Sequence, residues 1–403
     1  MTAQYGTALK NQILPLLFLT AIFFIGFISR LLLAPLLPAI EKDLAIGHGE
    51  AGSFFLFVSA GLFISLLFSN IVVSKITHRT SIVLSATILG VALIATAFAR
   101  DIWQIYVCLF LWGLSGGLYL PSGIATLTTL IKPVDWGKAL AVHELAPNLS
   151  FVAVPIIVEL LFNWFSWRGI PVVFGFIAIL MGTIYARYGK GGRFYGDIPE
   201  PSTYKAIMRN PSFWIMTFLF TLGVIGSLGI FTMLPLYLIF ERGMERELAN
   251  NLLGLSRISC IFVPFAAGWI TDRLGAKRAL VGIFLLAGIV TILLGVAPDS
   301  WVVPVLFMQP VFAVCFFPAG FAAISFLGPP SQRNYVVSMT SALALLLGAG
   351  VVPACLGILG EKVSFSLGFS LAGGLMITGA LLALGLKLMH HSGSESLVSA
   401  NFK

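Results

Sequence analysis

The chain has 403 residues, of which 58% are hydrophobic and 10% charged. A soluble domain carries about 25% charged residues, so this balance excludes an ordinary globular protein and indicates a membrane protein. The net charge of +8 is scattered singly through short loops, with no basic block interleaved with aromatics, which excludes a nucleic-acid surface.

The first apolar run follows Lys10 and has full spanning length without a small-residue cleavage site, so it reads as a retained helix rather than a signal peptide. A membrane helix needs about 20 apolar residues. Runs of that kind fall at 13–37, 50–73, 80–99, 102–131, 137–161, 169–187, 211–240, 248–271, 278–297, 301–328, 334–359 and 363–389. The chain is therefore expected to be an all-α membrane protein with twelve transmembrane helices. Residues 188–210 are glycine-rich and basic, with Lys190, Arg193, Lys205 and Arg209, and cannot cross a membrane. They divide the chain into a six-helix bundle over 1–187, a linker over 188–210, a second bundle over 211–389 and a tail over 390–403. With the N-terminus inside, the cytoplasmic loops and tails carry 16 Lys and Arg and the outer loops 6. That bias puts both termini in the cytoplasm and the protein in the inner or plasma membrane.

An internal repeat supports two pseudo-symmetric bundles. Leu37-Pro38 matches Leu234-Pro235, Pro121 matches Pro318 and Pro155 matches Pro353, at an offset of 197 or 198. Two polar turns follow the same repeat: NIVVSKITHR at 70–79 and GWITDRLGAKR at 268–278. Asp272 and Arg273 answer to Ser74 and Lys75, and Arg278 answers to Arg79. At this turn the sequence resembles the major facilitator superfamily, whose signature lies between helices 2 and 3 and recurs between 8 and 9. The second copy, with Gly268, Asp272, Arg273, Gly275, Lys277 and Arg278, is the closer match. In the first, Ser74 stands for the family's acid and Thr77 for its glycine. The resemblance implies that these residues, with Lys75 and Arg79, form a cytoplasmic gate joining the halves by charge. The plainer alternative is a topology signal alone.

An ionisable side chain within a span costs roughly 2.5–3.5 kcal/mol on insertion scales and needs a reason to be there. Arg30 on helix 1, His143 and Glu144 on helix 5 and Arg257 on helix 8 qualify; Glu159, near the outer end of helix 5, reads as interfacial. Their repeat partners are small: Ser227 for Arg30, Ser341 for Glu144, and Ser59 or Ala60 for Arg257. Fold-bearing residues recur in both halves and these do not, which points to substrate chemistry. Guanidinium keeps its charge when buried and forks onto carboxylate or phosphate. The resemblance implies that helices 1, 4, 7 and 10 line the path and that helices 5 and 8 face each other across the halves. Arg30 and Arg257 are thus expected to bind substrate, with Tyr119 and Phe316 on the cavity wall. Glu144 and His143 are expected to couple protons, Arg257 meeting Glu144 when the site is empty. For Arg257 a structural ion pair, for Arg30 snorkelling to the interface, and for His143 simple packing are the competing readings. Gly113, Gly116 and Gly117 form a small face for close helix approach.

The four cysteines lie in apolar runs with neither zinc nor disulfide spacing, and no nucleotide loop or nucleophile motif is present. No enzyme, metal or cofactor is expected. The resulting expectation is a monomeric secondary carrier of a small organic anion, in particular a carboxylate, working by symport with protons or antiport against a counter-anion, with lipids as its other partners. A drug–proton antiporter is the alternative, and a non-transporting receptor or platform a remote one.

Overall fold

The computed structural model describes residues 6–196, 201–324 and 333–385. The expected tail from 390 lies outside them. The described chain is helical, with a single isolated bridge between Thr7 and Ile131. Among the described residues eleven helices are long and apolar enough to cross a membrane, and a bent pair makes the twelfth. In order they are α1 (Ile13–Leu44), α2 (His48–Lys75), α3 (His78–Phe98), α4 (Ile102–Leu130), α5 (Pro133–Phe162) and α6 (Gly169–Tyr188). A short helix over Pro201–Met208 precedes the second set. That set is α7 (Pro211–Glu241), α8 (Arg246–Ile261 with Val263–Leu274), α9 (Ala276–Val296), α10 (Asp299–Ile324), α11 (Tyr335–Lys362) and α12 (Phe365–Leu384).

Lipid gives helices no hydrophobic reason to associate, so close backbone approach carries the packing. In each half, glycines face each other and touch the opposite carbonyls. A Cβ on Gly61 of α2 would strike the carbonyl of Phe110, and one on Gly113 of α4 would strike that of Val58. Gly288 of α9 and Gly373 of α12 face each other in the same reciprocal way. All three glycines of the expected small face on α4 meet α2: Gly113 at Val58, Gly116 at Leu62 and Gly117 at Ser65. Gly113 and Gly116 also border the interior cavity.

Prolines interrupt the helices that border this cavity, because proline removes an N–H and crowds the carbonyl four residues back. Pro147 follows the break in α5 at Glu144, and Pro264 follows the bend of 42° in α8. The helices α7 and α11 carry π segments at Ile225–Gly229 and Leu347–Val351. Such turns free backbone carbonyls from the helical ladder. The carbonyls of Gly226 and Ser227 accept from Gln309 and Arg257, respectively.

Alternating helices give the bundle two ends. One, the basic end, carries the α2–α3 and α8–α9 turns and the segment after α6. The other, the far end, carries the α1–α2, α5–α6, α7–α8 and α11–α12 turns. At the basic end the segment after α6 is strapped to the first half: the His78 and Arg79 amides donate to Phe194 and Gly192 at 3.1 and 2.7 Å.

Candidate functional site: a central cavity between the halves

A cavity of about 700 Å³ lies between the two halves and is bordered by α1 to α8, α10 and α11. Arg30, Arg257 and Glu144 all line it. Each stands on the N-terminal side of a proline in an interrupted helix: Arg30 before Pro35, Glu144 before Pro147, Arg257 before Pro264.

Arg257 comes from α8, where the helical ladder ends at Leu255 and a 3-10 turn begins at Ile258. The side chain is 1% exposed. Its guanidinium is held between Phe151 of α5 and Phe231 of α7, with ring centroids at 4.9 and 4.8 Å. Nη2 donates to the Ser227 carbonyl at 3.0 Å, while Nε and Nη1 have no hydrogen-bond partner. Ser227 is the repeat partner of Arg30, so one arginine rests on the other's counterpart. Arg30 itself, in α1, sits 5.9 Å from the Phe27 ring, and its Nη2 is buried and unpaired. The snorkelling reading of Arg30 is corrected, since it faces the interior cavity rather than an interface.

The expected contact of Arg257 with Glu144 is not formed in this structure. Both line one cavity, but Arg257 is committed to Ser227 and its two phenyl rings. Glu144 is 55% exposed, and its Oε1 lies 3.5 Å from Nδ1 of His143, which is fully buried. The His143 ring stacks on Phe23 of α1 with centroids 4.5 Å apart. Its Nε2 lies 3.1 Å from the hydroxyl of Tyr119. That hydroxyl also donates to the Leu19 carbonyl at 2.6 Å. Tyr119 lines the cavity but is 4% exposed, with its hydroxyl already engaged.

Phe316 requires correction: it is 1% exposed and packs against Phe220 and Phe284 at 5.0 and 5.2 Å inside the second half. The helix turns about 100° per residue, so its neighbour Phe317 takes the place on the cavity wall, with Phe321 one turn on.

The turn residues do not join the halves in this structure. Lys75, Asp272, Arg273, Gly275 and Arg278 are exposed, with Gly268 and Lys277 partly so. Arg273 lies over the Trp269 ring at 4.0 Å, and no ion pair of the motif is present among the described residues. Gly275 has φ of +80° at the α8–α9 turn, a conformation that suits glycine. In this structure Arg79 caps the C-terminus of α6, donating to the carbonyls of Tyr185 and Ala186 at 3.1 and 3.0 Å and to that of Gly189.

The polar join between the halves lies at the far end, where the sequence reading placed only an interfacial Glu159. That carboxylate is 9% exposed. It pairs with Arg246 Nε of α8 at 3.2 Å and accepts from Asn250 Nδ2 at 2.5 Å. Asn250 Nδ2 also reaches the Pro35 carbonyl of α1 at 3.4 Å. Nearby, Glu361 of α11 accepts from the Gly49 amide of α2 at 2.9 Å, and His48 Nδ1 lies 2.9 Å from Glu41 Oε1. A sequence signal for this join existed. Arg246 and Asn250 are four apart on one helix face, and Glu159 is a lone acid in an apolar run.

Comparison with known proteins adds to this geometry. A sequence model of the Major Facilitator Superfamily matches residues 19–263 and 247–400. The probable sulfoacetate transporter SauU of Cupriavidus necator is 21% identical over 393 residues, covering 90% of each chain. The membrane sensor protein UhpC of Escherichia coli is 23% identical over 265 residues, covering 58% of this chain and 59% of that one. Among solved structures, a bacterial homolog of the human lysosomal transporter Spinster, in an inward-facing and unoccupied conformation, superposes with a TM-score of 0.71. It is 13% identical and is matched over 92% of this chain and 94% of that one, a likeness of fold.

Proposed function

This chain belongs to the Major Facilitator Superfamily, and from that premise we propose that it carries a small organic anion, in particular a carboxylate or sulfonate, by alternating access. It is a multi-pass membrane transporter and not an enzyme. The observation that carries the proposal is the pair of arginines, one from each half, lining one cavity with guanidinium N–H groups unpaired. A buried cation with open donors is costly until an anion meets it. Charge-assisted hydrogen bonds to an anion contribute about 1.5–3 kcal/mol each. The probable sulfoacetate transporter among its relatives supports the same class.

In this reading the basic end faces the cytoplasm, following the distribution of Lys and Arg, and the two six-helix bundles expected over 1–187 and 211–389 are the halves that move. The cavity is then closed outward by the Glu159–Arg246–Asn250 join and open inward. Rocking of the halves would part that join and bring the 268–278 turn against the first half, exposing the same arginines outward. Glu144, on the cavity wall, carries the coupling proton or yields to exchange against a second anion.

The test is counterflow in proteoliposomes with radiolabelled sulfoacetate, short aliphatic carboxylates and benzoate, with and without a pH gradient. Uptake of at least one anion, reduced about 10- to 150-fold by Arg257→Gln in line with one lost charge-assisted bond, is expected. Glu144→Gln should stop pH-driven uptake and spare exchange. Transport of neutral or cationic compounds, with every anion ignored, would overturn the proposal. The breadth of apolar and aromatic wall favours a second reading, a drug–proton antiporter, which the same vesicles distinguish by ethidium efflux.

A further inference from the structure

We infer that His143 and Glu144 form a single proton-binding dyad, with Tyr119 as the positioning residue that fixes which imidazole nitrogen receives the proton. This rests on the transport reading only for its purpose; the chemistry stands on the local geometry. The Tyr119 hydroxyl has one hydrogen, and the Leu19 carbonyl takes it at 2.6 Å. The remaining contact, 3.1 Å from the same oxygen to His143 Nε2, therefore requires Nε2 to be the donor. A neutral His143 is thus held with its proton on Nε2 and a bare lone pair on Nδ1.

That Nδ1 is buried without a hydrogen-bond partner and lies 3.5 Å from Glu144 Oε1. A lone pair and a carboxylate at this distance repel. One proton from the cavity solvent, with a small closing of the 3.5 Å gap, converts the repulsion into a hydrogen bond, charge-assisted as N–H to O⁻ or neutral as O–H to N. Two protons are not needed, and the Tyr119 contact leaves no second site on the ring. The fully buried imidazole is clamped by stacking on Phe23, whereas the carboxylate is 55% exposed, so the proton enters from the Glu144 side. The other titratable or charged groups facing the cavity are Tyr119 on α4, Arg30 on α1, and Arg257 and Cys260 on α8. Tyr185 of α6 belongs to the same buried cluster as Tyr119. Proton and anion would then share one cavity without an Arg257–Glu144 ion pair.

The experiment counts protons taken up by purified, substrate-free protein in detergent between about pH 8 and pH 5, the range in which histidine titrates. Wild type is expected to take up one proton more than His143→Gln, one more than Glu144→Gln, and one more than the double variant. Equal losses in the three variants mean one shared proton. A double variant that loses two, or Glu144→Gln with undiminished uptake, overturns the dyad. Should His143→Gln fail to fold, Glu144→Gln and the ring nitrogens of ¹⁵N-histidine-labelled protein decide. The resonance pair that responds to Glu144→Gln should show the Nε2–H tautomer at high pH, and Tyr119→Phe should release it to a mixture. An unchanged tautomer in Tyr119→Phe reduces Tyr119 to packing and overturns its role. No anion is present, so this result stands or falls separately from transport of the anion panel.

Discussion

The far end and the basic end of the bundle hold the halves differently. At the far end, Glu159 of α5 meets Arg246 and Asn250 of α8, Glu361 of α11 meets α2, and glycines let helix backbones touch. At the basic end, the charged residues of the motif stand exposed, and Arg79 works within its own half. A conformational equilibrium is set by contacts present in one state and absent from the other. The far-end contacts are thus the ones that favour the state seen here, and the free motif charges are available to the opposite one.

The strongest way to break this contrast is to wedge the far end open. A side chain on Gly357 of α11 would collide with the His48 carbonyl of α2. Overpacking of this kind costs about 1–3 kcal/mol, so Gly357→Leu should shift the balance of states by about 5- to 150-fold. Spin labels on Lys42→Cys and Glu247→Cys, at far-end turns of opposite halves, should then report a longer distance by pulsed dipolar spectroscopy. An unchanged distance would show that the far end does not hold the state.

Next in size is the basic-end turn. Gly275 has φ of +80° and ψ of 148°, a region that is nearly glycine-only. Gly275→Ala should cost about 1–3 kcal/mol of strain, read as a lower thermal midpoint by intrinsic fluorescence. It should leave the label distance at the far end unaltered, since no neighbour crowds that position.

A smaller effect is expected from Glu159→Gln. The amide keeps an acceptor for Asn250 but loses the ion pair with Arg246, itself 43% exposed. A loss of about 1 kcal/mol predicts roughly a fivefold shift toward far-end opening, in the same label experiment. Smallest is Asp272→Asn. The carboxylate is exposed and in no ion pair among the described residues, so the thermal midpoint should move by no more than about 0.5 kcal/mol equivalent. If the motif latches the opposite state, transport rate should still fall. A large stability loss would contradict the free basic end.

Much of the site was legible in residue types. Arg30, Glu144 and Arg257 stood out because a charge in an apolar run is costly, and all three line the cavity. Each also precedes a proline in an interrupted helix, a pattern readable in the sequence. Partnership was not legible. Arg257 rests on a π-segment carbonyl and two phenyl rings rather than on Glu144. Phe316 and Phe317 are alike in sequence, and helix rotation alone sends one into the core and the other to the cavity.

Hydropathy, basic loops and the repeated prolines determined by themselves that the chain crosses a membrane twelve times in two related bundles. Those properties follow from segment length and transfer energy, which are local. Which end is closed, which nitrogen of His143 is bare and what Glu159 binds were decided by contacts between residues tens to hundreds of positions apart. Such contacts depend on how rigid helices dock, and the two dockings of one bundle share the same amino-acid sequence.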